Sequence, residues 1–451
     1  MPSAAKSAVA PAYLLACLIL GGSAQGIWQN MVLQLAGVAI IAWAASAPIE
    51  EPPSAATKTL LLLAVLAIAW VALQLVPLPP SIWAHGARAR VAEGFSLLGK
   101  PFPAFPLSLT PYETLSTILC VIPPLAIFCA ITRVKAFRPS WLAVALLLGA
   151  AAGILLGALQ VATPTSPWYL YEETNRGVAV GFFANANHMA TLLVISIPFI
   201  AALAAAGRSS NMQRYSALLS ILAAAMLVLI VGIALNGSLA GYTLAVPVIA
   251  ASALIVLPRA SMGLRRIAVA VGALSIIAAV AALASSSIGS TKIGQDATTS
   301  VQSREQILAT TTEAIEDYMP FGSGLGSFVR VYRLYESPDR VSNEYVVHAH
   351  DDYVELALEL GIPGIILILL FLGWWIAAVW SVWRKWQSSA FARAASIASA
   401  AVLVHSLVDF PLRTAAISSC FAMCLALLAE RRPPQLQESG DLRPTRHVVV
   451  G

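Results

Sequence analysis

Between Ala8 and Leu428 the chain returns repeatedly to long apolar runs, and about 20 mostly apolar residues are what a helix needs to cross a bilayer. About twelve such stretches are legible. They lie near Ala8–Leu20, Met31–Ala45, Leu60–Val76, Thr114–Ile131, Trp141–Val161, His188–Ala205, Ser216–Leu235, Leu239–Leu257, Ile267–Ala284, Gly364–Trp380, Ala394–Phe410 and Ala415–Leu428. Composition agrees: 59% of the 451 residues are hydrophobic and 11% are charged, where a soluble domain carries about 25% charged residues. No water-soluble packing hides that much apolar surface, so lipid must cover it. The reading is an all-α polytopic membrane protein, a bundle of about 12 transmembrane helices with one large outer loop containing short helices.

The first stretch has features of a signal peptide, with Lys6, a short apolar core and small residues around Gly21–Ala24. A retained anchor is expected, because further spans follow at once. The five cysteines, Cys17, Cys120, Cys129, Cys420 and Cys424, lie in apolar stretches and show neither a disulfide frame nor metal-ligand spacing. The formal net charge of +5 comes from basic residues dispersed between apolar segments, which argues against a nucleic-acid partner.

The placement of those basic residues sets an orientation. With the N-terminus in the cytoplasm, five groups fall inside: Arg133, Lys135 and Arg138; Arg208 and Arg214; Arg259, Arg265 and Arg266; Arg384, Lys385 and Arg393; Arg431 and Arg432. Both termini are then cytoplasmic, and three segments lie outside, Pro77–Glu113, Ala162–Asn187 and Ser285–Leu360. This divides the chain into an N-terminal bundle at 1–284, the large outer loop at 285–360, C-terminal spans at 361–430, and a disordered tail at 431–451.

The large loop carries most of the chemistry-bearing residues. After a Ser/Thr-rich run, Ser303-Arg304-Glu305-Gln306 reads as a capping box that starts a helix. Apolar positions through Tyr318 predict an amphipathic helix lying on the membrane surface. Arg304 in its first turn would oppose the helix dipole, so a solvated arginine and an anion ligand both stay open. Pro320–Phe328 holds Gly322, Gly324 and Gly326. It lacks a phosphate loop's lysine and preceding strand, and reads as a turn.

His348-Ala349-His350-Asp351-Asp352 leads into Leu360-Gly361-Ile362-Pro363-Gly364. The aspartates suit a helix start, Gly361 its end, and Pro363 the start of the next helix. His350 would sit at the lip of the bundle, where a histidine can move a proton near neutral pH. A divalent metal on the two histidines and two aspartates, or a structural role, are the other readings. A second cluster, Asn175-Arg176-Gly177 and Asn185-Ala186-Asn187-His188, enters a span from the outside. A third is His405, Asp409 and Arg413, with His405 and Asp409 one helical turn apart, read as a structural pair within the membrane.

In this order the stretches resemble the bacterial O-antigen ligase and O-antigen polymerase superfamily, across Pro106–Pro111, Arg176–Asn187, Arg304–Phe328 and His405–Leu412. The sharpest likeness is a ligase-type pattern of His, a polar residue, a spacer and Gly-x-x-Gly, filled here by His350, Asp351, Gly361 and Gly364. The second position is normally Asn, Ser or Gln, so Asp351 departs from it. Ser238-Leu239 departs too, where relatives often carry Ser-Arg.

The resemblance implies a metal-independent glycosyl transfer on the periplasmic side. The donor would be an undecaprenyl-diphosphate-linked oligosaccharide, the acceptor a glycan or the lipid A-core. His350 is the implied catalytic residue, and Arg176 and Arg304 the implied diphosphate ligands. Asn187, His348, Asp351, His405 and Asp409 are placed in support. No cofactor or metal is expected, and the implied surroundings are the inner membrane and other polysaccharide assembly proteins. Polymerisation of exopolysaccharide or O-antigen is favoured over ligation by the Asp351 departure. The rivals from other classes are a transporter using His405 and Asp409, and a non-catalytic assembly scaffold.

Overall fold

The computed structural model describes residues 3–49, 51–163, 167–208, 211–256, 292–340, 346–384 and 388–430. Every regular element among them is helical. In chain order these are α1 (Ser3–Leu20), α2 (Ile27–Ser46), α3 (Ala55–Gln74), the short α4 (Pro80–Trp83) and α5 (Ala89–Leu97). Next come α6 (Pro111–Leu119), α7 (Ile122–Thr132), α8 (Pro139–Ala162), α9 (Ala186–Ala206), α10 (Met212–Asn236) and α11 (Leu239–Val256). The remainder are α12 (Lys292–Tyr318), α13 (Phe328–Tyr335), α14 (Asp352–Arg384), α15 (Ala390–His405) and α16 (Ala415–Ala429).

Eight helices among the described residues are long and apolar enough to cross a membrane, with α6 and α7 together forming one of them. The helices Ala4–Leu20, Ala390–His405 and Ala415–Ala429 are apolar but shorter. The expected span at Ile267–Ala284 and the tail at 431–451 lie outside the described residues.

Helix α9 is the axis of the bundle. It is buried along most of its length and packs against α8, α10, α11 and α15. The sequence of α15 explains how closely it approaches: Ala and Ser fill most of its positions. In a bilayer, where apolar burial drives nothing between helices, small residues that let backbones touch supply the packing. The same scarcity of water makes unpaired polar groups costly. Trp375 Nε1 donates to Ser399 Oγ at 2.9 Å, Trp383 Nε1 to Ser396 Oγ at 2.9 Å, and Trp374 Nε1 to the Ala56 carbonyl at 3.0 Å.

The two ends of the bundle differ in charge. At one end Arg133 donates to the Ala47 and Pro48 carbonyls, Lys135 pairs with Glu430, and Arg208 reaches the Val256 carbonyl. The basic residues Arg138, Arg214, Arg384 and Arg393 lie on the helix ends facing the same way. At the opposite end gather the C-termini of α1, α3, α8, α10 and α15 and the N-termini of α9, α11, α14 and α16.

Here buried amides fasten the loops. Gln160 holds Val180 N, Gly181 N and the Gly181 carbonyl. Asn236 holds the Ala179 and Ala186 carbonyls. Gln74 Nε2 donates to the Phe321 and Glu359 carbonyls. Arg88, also buried, donates to the Leu107 and Gly322 carbonyls.

Two local expectations change. Helix α12 starts at Lys292, so Ser303 lies inside it and caps nothing. No proline interrupts 292–302, and the Ser/Thr-rich run continues as helix. Arg304 is therefore clear of the first turn and of the dipole cost expected there. Nor is the apolar face of α12 a membrane-surface face. Ile307, Ala314 and Tyr318 pack with Phe328, Val331, Tyr332, Ala349 and Leu358 in a protein core of their own.

Candidate active site

Helix α14 organises the site. Asp351 caps it, its Oδ1 accepting from Tyr353 N at 2.8 Å and Val354 N at 3.0 Å. Burial pushes the Asp351 carboxyl up, against the pull of those two amides. Good N-caps are short side chains with an acceptor oxygen, and Asp and Asn serve about equally. The departure from Asn, Ser or Gln at this position thus keeps the local job intact.

Ten residues beyond Asp351, Gly361 breaks the helix with φ 64° and ψ −154°. A Cβ there would sit 2.3 Å from the Pro320 carbonyl oxygen, because the glycine-rich turn packs directly against it. That turn reads as a staple. Its amides at Gly326 and Phe328 point at the Glu359 carboxylate, 2.8 and 3.4 Å away. The anion in this cradle belongs to the protein itself.

Below the cap, Arg413 enters from the Pro411–Arg413 turn and meets three acidic groups of α14. It lies 3.1 Å from Glu355, 3.4 Å from Glu359 and 3.5 Å from Asp352. The three carboxylates fall at 352, 355 and 359, the spacing that puts them on one helical face. Ser406 Oγ adds a bond to Asp352 Oδ2 at 2.8 Å. This network ties α14 to the segment between α15 and α16, and so fixes Asp409 relative to His350.

His350 adopts a left-handed backbone, φ 55°, uncommon for a residue with a side chain and concentrated at functional sites. Its Nδ1 lies 3.3 Å from Asp409 Oδ1, a close contact outside hydrogen-bond alignment. Asp409 is fully buried and also accepts from Asn187 Nδ2 at 2.5 Å. Asn187 Oδ1 in turn accepts from Ser238 Oγ at 2.7 Å. Donors and acceptors thus run one way, from Ser238 through Asn187 to the carboxylate facing His350. With a proton on Nδ1 toward Asp409, His350 is left with Nε2 as its basic nitrogen.

His348 makes a second pair, its Nδ1 3.0 Å from Glu355 Oε1. Phe410 stands among the rings, 4.1 Å from His348, 5.0 Å from His350 and 5.1 Å from the buried His188. His405 Nδ1 pairs with Thr191 Oγ1 at 2.7 Å, and the Asp409 amide donates to the His405 carbonyl at 3.0 Å. Arg304, half-buried on α12, is near enough to act electrostatically on His405.

The fold therefore gathers His350, Asp409, Asn187, His348, His405 and Arg304 at one end of the bundle, with Asp351 as the cap beneath His350. Arg176 stands apart. It is exposed, with its guanidinium 5.4 Å over the Tyr169 ring. Its loop is tied to the start of α9 by Asn175 Oδ1, which accepts from Ala186 N at 2.9 Å. Glu355, Glu359, Ser238 and Thr191 were not singled out from sequence as site residues. A helical-wheel reading of 352, 355 and 359 against Arg413 would have found the first two. Among the described residues no three His, Cys, Asp or Glu side chains are grouped so as to hold a metal ion.

A family model described as O-antigen ligase matches residues 223–369. Over that stretch, about a third of its length, the chain is similar to the O-antigen ligase family. The matched stretch runs from within α10 to within α14 and includes Ser238, Arg304, His348, His350 and Asp351. Asn187, His405, Asp409 and Arg176 lie beyond it, so the site joins residues from inside and outside the match. No curated protein matches the chain. The match, with the apolar helices, supports a membrane protein of ligase or polymerase type, for which the family implies a lipid-linked glycan and an acceptor as substrates.

Proposed function

We propose that the protein transfers a glycan from undecaprenyl diphosphate to an acceptor hydroxyl, at the end of the bundle that carries His350, in polymerisation of exopolysaccharide or O-antigen. The observation that supports this most is the His350–Asp409 contact, backed by Asn187 and Ser238, with His350 inside the stretch similar to the O-antigen ligase family. In the reaction the acceptor oxygen attacks the anomeric carbon while His350 Nε2 takes its proton. The new glycosidic bond forms as the carbon–oxygen bond to the diphosphate breaks, and the bonding pair leaves with the diphosphate.

Buried and held by Asn187, Asp409 steadies the imidazolium that results. Arg304, and Arg176 from its own loop, hold the leaving diphosphate. A guanidinium offers a planar fork to phosphate oxygens and stays charged at any working pH. This arrangement asks for no metal. The reaction takes place on the periplasmic side, with the basic end of the bundle and both termini in the cytoplasm of an inner-membrane protein.

The test is turnover. Purified protein in lipid nanodiscs is given undecaprenyl-diphosphate-linked oligosaccharide, with and without lipid A-core, and with chelator in parallel. Longer lipid-linked chains are the expected product. Glycan appearing only on lipid A-core would make the protein a ligase instead, and absence of both products removes the catalytic reading.

A further inference from the structure

A wide cleft near this end of the bundle lies away from the histidines. It has a volume of about 1160 Å³, and no residue of the His350 cluster lines it. Its walls come from α5, the start of α6, the last turns of α12, and α13. A pocket for one small molecule is about 300–1,000 Å³, so this one has room for something longer.

The chemistry of the walls narrows the occupant. Arg90, Arg330 and Arg333 share the lining with Glu113, Glu313 and Asp317. Three cations against three anions give no net charge preference, which disfavours an anion site. An acyl chain would be poorly served by six charged side chains. Both signs of planar hydrogen-bonding group suit a ligand rich in hydroxyls, each able to donate and accept.

Tyrosines complete the set. Tyr318 and Tyr335 line the cleft, with Tyr335 Oη donating to Asp317 Oδ2 at 2.6 Å. Tyr112 stands at the edge, 87% exposed. Such rings offer an apolar face and a polar tip, matching the two aspects of a sugar ring. Thr110 Oγ1, in the same lining, is shut off from solvent with no hydrogen-bond partner among the described residues. A buried hydroxyl left so calls for a partner, and a ligand hydroxyl becomes one where the side chain turns toward the cleft.

We infer that this cleft holds an oligosaccharide stretch of the glycan, remote from the bond being made. The inference rests on the glycan-transfer reading and adds a second binding site to it. Helix α12 links the two places. Arg304 serves the histidine end, whereas Glu313 and Asp317 line the cleft. At roughly 1.5 Å per helical residue they lie about 14–20 Å further along. A chain of several sugars spans that distance, and a single sugar does not. The cleft thus sets a preference for glycans long enough to reach it.

The probe is oligosaccharide freed from the source cell's lipid-linked glycans by mild acid, which carries no diphosphate. Its binding to the full chain in nanodiscs is titrated for wild type, Tyr112→Ala, Glu313→Gln and His350→Ala. Saturable binding is expected, weakened at least 10-fold by the first two changes, untouched by His350→Ala, and not displaced by inorganic pyrophosphate. No saturable binding to wild type, or equal binding by Tyr112→Ala and Glu313→Gln, overturns the inference. Displacement by pyrophosphate overturns it too, since the sugar would then be at the diphosphate site. The transfer reading is judged separately, by turnover of the lipid-linked donor. Turnover without cleft binding removes this inference alone, while cleft binding without turnover removes the transfer reading and leaves an oligosaccharide site.

Discussion

His350 carries the sharpest expectation for a single side chain. His350→Ala removes the proposed base while leaving Arg304 and Arg176 in place. Transfer should fall roughly 100-fold or more, the scale of lost general-base help, with donor binding retained. Single-turnover rates beside an equilibrium binding curve check both halves. Near-normal transfer would send the function to the scaffold or transporter reading. Asp351 separates a capping role from a chemical one. Asp351→Asn should leave thermal stability and rate nearly unchanged, because asparagine caps as well. Asp351→Ala should cost about 1 kcal/mol of stability, read as a lowered melting temperature in detergent. A large rate loss in the Asn variant at unchanged stability would mean that the charge itself takes part.

At the scale of elements, periodicity and breakers were the most legible features. The apolar runs of α2, α3, α8, α9, α10 and α11 stand in the sequence nearly where the helices lie. The break at Gly361 could be read from Leu-Gly-Ile-Pro-Gly. The start of α12 could not, because a capping box looks the same inside a helix as at its end. The partner of the glycine-rich turn was also hidden: Glu359 is some thirty residues away in sequence, and only the fold shows that it fills the cradle. Gly361→Ala should destabilise strongly, since left-handed backbone costs a side chain about 1–2 kcal/mol and the new Cβ meets the Pro320 carbonyl at 2.3 Å. Gly373→Ala in the same helix is the control. A Cβ there meets nothing within 4 Å, and helix propensity favours the change by about 1 kcal/mol. Equal melting temperatures for the two variants would refute the role given to the break.

For the whole molecule, the distribution of charge between the two ends of the bundle makes the last prediction. Arg133, Lys135, Arg138, Arg208, Arg214, Arg384 and Arg393 lie at the end opposite His350. Positive residues in short loops are retained in the cytoplasm, so the histidine end should face the periplasm. The helix ends in the structure sort residues into two sets, but a bundle in isolation has no inside or outside, and the assignment comes from this rule. An alkaline phosphatase fusion after Gly324, in the turn against α14, should be active, because that enzyme folds only outside the cytoplasm. A fusion after Arg138, between α7 and α8, should be inactive, and a cytoplasmic reporter at the two positions should give the mirror result. The proposed chemistry depends on this outcome. If the fusion after Gly324 is silent and the one after Arg138 active, His350 faces the cytoplasm, and a periplasmic transfer reaction at that end is ruled out.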